Sequence, residues 1–259
     1  CFMIGMGVFG QGFVGKLAFP SANVSDRIEK TFTSVNFNMM IMVIYALITI
    51  AIFGMWYYAR YEGNFLPSPK KTFNPMMLVA IVILVPGTQF AANFIANLTG
   101  YIRPDWLQQY NELFETSGIT DTTFVTVLYS VILAPICEEL IFRGVTMRCA
   151  RKALPFALAN LIQAALFGLF HLNWIQGIYA FALGIVLGYV CERGGSIYYS
   201  IGLHLLFNLW GTLSGFFPDP GNSVVIFVIV IAVTIVSLVV GFVLFNKGRR
   251  KLPINSTGI

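Results

Sequence analysis

Apolar runs of roughly 20 residues, each closed by a short polar stretch, recur along this chain, the length a helix needs to cross a bilayer. They fall at 2–19, 37–58, 73–98, 122–149, 154–172, 174–191, 197–213 and 224–245. Eight such runs predict an all-α fold, a polytopic bundle of about eight transmembrane helices treated as one integral membrane domain over 1–259. Between the third and fourth runs, Trp106, Leu107, Tyr110, Leu113 and Phe114 recur at helical spacing in a polar stretch. That pattern predicts a short amphipathic helix lying at the membrane surface.

The punctuation sharpens this plan. Trp56, Tyr57, Tyr58 and Tyr61 close the second run with the aromatic chemistry of a membrane interface. Pro86-Gly87 predicts a kink in the third run, and Asp121-Thr122-Thr123 an N-cap region for the fourth. Gly5, Gly7 and Gly10 match the letters of a dinucleotide fingerprint, but no strand precedes them, and close helix packing is the better reading. Cys1 rather than Met begins the sequence, consistent with a trimmed start, and no signal peptide is visible.

Composition agrees with a membrane protein: 57% of residues are hydrophobic and only 10% charged. The net charge of +5 does not indicate a nucleic-acid partner, because the basic residues sit in short clusters between apolar runs. Arg60 to Lys71, the group Arg148, Arg151 and Lys152, Arg193, and the tail Lys247, Arg249, Arg250 and Lys251 all fall on one side of an alternating eight-span plan. The positive-inside rule makes that side cytoplasmic. Four cysteines without CxxC spacing read as packing thiols.

Chemistry concentrates in Ala134-Pro135-Ile136-Cys137-Glu138-Glu139-Leu140-Ile141-Phe142-Arg143-Gly144. A charge inside a membrane helix costs about 2.5–3.5 kcal/mol on insertion scales, so such groups pair or work. Residues four apart share a helix face, so Glu139 and Arg143 are expected to pair. Glu138 points about 100° away on the helix and is left for chemistry. The chain has only two histidines, His171 and His204, each inside an apolar run. His204 and Asn208 are four apart and can aim at one point, as an oxyanion requires. His171 is positioned to hold a water against Glu138. On straight spans these groups fall at different depths, so their convergence demands kinks, tilts or short helices.

Glu138-Glu139-x-x-x-Arg143, Phe167-x-x-x-His171 and His204-x-x-x-Asn208 resemble, in order, the three motifs of the CAAX-protease and bacteriocin-processing (Abi, CPBP) family of intramembrane endopeptidases. The resemblance covers 138–208. It implies that Glu138 activates a water, His171 helps position it, and His204 with Asn208 stabilises the tetrahedral oxyanion. Glu139 and Arg143 become supporting neighbours.

The expected function is therefore an intramembrane endopeptidase acting on a membrane-bound protein or peptide: a CaaX-like tail, a leader or a bacteriocin-type peptide. The expected location is a multi-pass position in a prokaryotic plasma membrane. The reading carries no cofactor and no metal; zinc, held by Glu138, His171 and His204, is the less favoured version, since no HExxH helix is present. The alternative from another class is a non-proteolytic immunity or scaffold protein that binds a peptide in the same cavity. A proton-coupled transporter is a third, weakened by the lack of an internal repeat.

Overall fold

The computed structural model describes residue 26 and residues 35–62, 74–117, 123–214 and 223–248. The Gly-rich first run and the basic tail after Gly248 lie outside the described residues. Within them the chain forms helices and no strand. We label them α1 (Val35–Tyr57, continued by a π turn Tyr58–Glu62), α2 (Pro75–Ile102), α3 (Pro104–Ser117), α4 (Phe124–Arg151), α5 (Phe156–Phe170), α6 (Trp174–Gly194), α7 (Ile197–Ser214) and α8 (Val224–Gly248).

The helix starts are written locally. Asn74 caps α2, its side chain accepting from Met76 N–H at 2.9 Å, and Pro75 follows where its missing N–H costs nothing. Thr123 caps α4 through Thr126 N–H, within the expected cap region. Asn173 caps α6 in the same way, through Gln176 N–H at 3.0 Å. Gly195, at φ 66°, ends α6 in the left-handed conformation that glycine adopts without strain. The amphipathic helix is present as α3, where Trp106 stacks on Trp174 at 5.3 Å between ring centres.

Among the described residues five helices are long and apolar enough to cross a membrane: α1 from Met39, α2, α4, α6 and α8. At 15 residues α5 is shorter, about 22 Å at the α-helical rise. α7 carries more polar side chains, His204 and Asn208 among them. A count of eight spans is reached only if α5, α7 and the first run also cross.

Burial explains the difference in texture between these helices. α8 exposes Val225, Val228, Ile235 and Val236, and α1 exposes Ile48 and Ile52, faces suited to lipid. The core joins Leu84 of α2, Phe142 of α4, Phe167 of α5, Leu187 of α6, Leu203 of α7 and Phe245 of α8.

α2 and α8 are locked at the expected Pro86-Gly87 break. There the hydroxyl of Ser237 accepts from Gly87 N–H at 2.9 Å and donates to the carbonyl of Ile83. Those two backbone groups are four residues apart, so a side chain from α8 stands within the hydrogen-bond ladder of α2. Between α5 and α6 the approach is closer still. A Cβ on Gly168 would lie 2.5 Å from the carbonyl oxygen of Gly177, so only glycine lets the two backbones meet there.

Candidate active site

The Glu-Glu pair lies in α4 between two π-helical stretches, Leu128–Leu133 and Leu140–Met147. Such stretches interrupt the 3.6-residue period and often accompany functional sites. Glu139 points into the bundle and is fully buried, as is Arg143. Arg143 Nη1 donates to Glu139 Oε1 at 2.8 Å, the expected pair. Its other amino group reaches the carbonyl of Gly184 in α6 at 3.2 Å, and its guanidinium lies 4.5 Å from the centre of the Phe167 ring. A buried guanidinium needs such company: a carboxylate, a carbonyl and an aromatic face replace the water it lost.

The same Glu139 oxygen accepts from His204. Nδ1–H of His204 donates to Glu139 Oε1 at 2.9 Å. The bond fixes the ring and turns Nε2 toward Glu138, whose Oε2 lies 3.6 Å away. Glu138 is thus near an imidazole but outside hydrogen-bond range, and it keeps part of its side chain exposed.

His171 ends α5, where its Nδ1–H donates to the Phe167 carbonyl at 2.8 Å. Nε2 is then the free nitrogen. Phe167 meets both imidazoles edge-on, with ring centres 5.0 Å from His171 and 5.8 Å from His204. Asn208, one turn beyond His204 on α7, donates from Nδ2 to the Ser130 carbonyl at 2.8 Å, in the first π stretch of α4.

All four predicted site residues, Glu138, His171, His204 and Asn208, line one cavity of about 930 Å³. The depth mismatch expected from straight spans does not keep them apart, because α5 is short and ends at His171 and α4 is irregular. Glu139 and Arg143 stand behind the wall, as their spacing implied.

The cavity also has lining residues that sequence reasoning passed over. Gln89 and Asn93 on α2 contribute polar groups, as do Tyr129 on α4, Tyr179 on α6 and Tyr110 on α3. Gln89 is buried, and its Oε1 has no hydrogen-bond partner among the described residues. The available signal was Gln89 and Asn93 four apart inside an otherwise apolar run, the same periodicity that singled out His204 and Asn208. Tyr110 shares a hydrogen bond with Tyr179, and burial raises its phenol above the usual range. The amphipathic helix is therefore part of the cavity wall.

Among the described residues no three His, Cys, Asp or Glu side chains are gathered as ligands. Each histidine has its Nδ1–H held, by Phe167 and by Glu139, which leaves Nε2 as the ring nitrogen available to the cavity.

No curated protein and no solved structure matches the chain. The segment from Thr123 to Asn208, which supplies every member of the predicted cluster, lies within a region that matches a family. Residues 120–210 match the family described as type II CAAX prenyl endopeptidase Rce1-like, so the resemblance carried by the three motifs holds and the part of the chain that builds the cavity is similar to a CAAX-type membrane protease.

Proposed function

We propose that the chain is an intramembrane endopeptidase that cleaves a peptide bond of a membrane-associated protein or peptide with a water activated by Glu138. The observation that carries this reading is the placement of Glu138 on the cavity wall, 3.6 Å from an imidazole that Glu139 holds in one orientation. Glu138 accepts a proton from the water as the water oxygen attacks the substrate carbonyl carbon. General-base help of this kind contributes about 10²–10⁴-fold. His171, with Nδ1–H held by Phe167, offers Nε2 as acceptor for the second O–H of that water. The carbonyl oxygen becomes an oxyanion facing His204 and Asn208. Donation to that oxyanion from Nε2 requires His204 to carry a proton there as well as the Nδ1–H that Glu139 holds. Collapse breaks the C–N bond, and Glu138 returns its proton to the leaving nitrogen.

A CaaX-like tail, a leader peptide and a bacteriocin-type peptide all satisfy this chemistry. The test is cleavage of a fluorescence-quenched peptide library by the purified, detergent-solubilised protein. Activity lost in Glu138→Gln, His171→Ala and His204→Ala, with the fold retained, supports the proposal. No cleavage, alongside peptide binding that the same substitutions abolish, returns the reading to a non-proteolytic binding protein. Activity abolished by a chelator and restored by zinc overturns the metal-free mechanism.

A further inference from the structure

The two ends of the bundle differ in charge, and the cavity belongs to only one of them. At the first end Arg148 Nη2 donates to Tyr57 Oη at 3.2 Å, and Arg151 pairs with Glu192 at 3.1 Å. Asn74 joins that end to Tyr199 and Gly248, donating its backbone N–H to the phenol oxygen and its side-chain amide to the carbonyl. The ends of α1, α4, α6 and α8 therefore meet the starts of α2 and α7. They bring Arg60, Arg148, Arg151, Lys152, Arg193 and Lys247 together on one side. The sequence adds Lys70 and Lys71 between α1 and α2, and Arg249, Arg250 and Lys251 after α8.

The opposite end is marked by the Trp106–Trp174 stack. Its charged groups are Arg103, just before α3, and Asp105, Glu112 and Glu115 on α3, and Arg103 is already paired with Asp105 at 2.7 Å. No basic cluster stands there among the described residues. Yet this is the end from which the cavity is lined: Ala96 late on α2, Leu113 on α3, Thr126 at the start of α4, Gln176 at the start of α6 and Ser214 at the end of α7.

A Lys/Arg excess this one-sided sets orientation, with the basic side cytoplasmic. We propose that the cavity opens to the non-cytoplasmic face of the membrane, and that its substrates are peptide segments presented from that face: translocated peptides, or the outer ends of membrane segments. A substrate confined to the cytoplasmic face has no route in. The lining contains no Lys or Arg among the described residues and carries Glu138, so a free C-terminal carboxylate finds no lysine or arginine to pair with there. Neutral or basic internal segments suit it better. The sidedness stands on geometry and charge alone; the substrate class rests on the protease reading above.

Two arms of one experiment keep these apart. In a chain with Cys1→Ser and Cys149→Ser, single cysteines are placed at Ser214→Cys, on the cavity, and at Ala153→Cys, between α4 and α5. A membrane-impermeant maleimide applied to intact bacterial cells should label the first fully and the second only after permeabilisation. The reverse pattern overturns the proposal whether or not the protein is a protease. In the second arm, sealed right-side-out and inverted vesicles carrying the unaltered chain receive an amidated, fluorescence-quenched apolar peptide. Right-side-out vesicles should cleave it at least tenfold faster. Equal rates, or faster cleavage by inverted vesicles, overturn the proposed substrate class. If the solubilised protein cleaves nothing, the protease reading fails and the labelling still decides the sidedness.

Discussion

His204 Nδ1 lies 2.9 Å from Oε1 of Glu139, a residue 65 positions earlier, and that bond decides what the other imidazole nitrogen faces. One carboxylate oxygen serves Arg143 on its own helix and His204 on another. Glu139 thereby orients the ring, while Glu138 remains on the cavity wall.

Glu138→Gln keeps the size and polarity of the side chain and removes the base. We expect peptide cleavage to fall by about 10²–10⁴-fold. The loss should appear in kcat, with KM little changed and the unfolding midpoint near that of the parent. A variant retaining more than a tenth of the parent kcat would remove Glu138 from the mechanism.

Arg143→Met leaves Glu139 as a buried charge with one partner fewer. Breaking a buried pair from one side costs about 3–5 kcal/mol. Unfolding titrations in detergent should show a loss of that order, and Glu139→Gln combined with Arg143→Met should recover much of it. A double variant as unstable as the sum of its parts would show that the pair is not coupled.

Ser237→Ala strips the hydroxyl that stands between Gly87 N–H and the Ile83 carbonyl. Leaving a buried polar group unpartnered costs about 1–3 kcal/mol. The same titration should report a destabilisation in that range. An unchanged midpoint would mean that α2 closes its own ladder without α8.

Gly168→Ala pushes a methyl group against the Gly177 carbonyl oxygen, 2.5 Å from the ideal position. Backbone cannot step aside as a side chain can, so α5 and α6 must separate. Overpacking of this kind costs about 1–3 kcal/mol. Because His171 follows Gly168 by less than a turn, cleavage should fall as well. Gly202→Ala, where a Cβ meets nothing within 4 Å, is the control and should alter neither reading.

Much of this architecture was written along the chain. Apolar runs and their polar breaks placed the helices from α1 to α8 to within a few residues, because backbone groups in lipid must bond within their own segment. The i, i+4 rule paired Glu139 with Arg143, since both lie on a single helix. The uneven spread of Lys and Arg marked one end of the bundle before any fold was known. Where a run was short or polar, as in α5 and α7, the pattern counted a span that length and hydropathy alone do not establish.

Sequence by itself singled out the candidates for the chemistry: ionisable groups are costly in apolar runs, so Glu138, Glu139, Arg143, His171 and His204 stood out. Tertiary structure alone decided how they meet. Local spacing cannot show that Glu139 occupies His204 Nδ1, that Asn208 spends an N–H on Ser130, or that Gln89 and Tyr110 share the cavity. Those contacts join different helices, and they depend on the π stretches of α4, the shortness of α5 and the glycine contact between α5 and α6. The physical reason is that periodicity reports which face of a helix a residue occupies, whereas packing determines what that face meets.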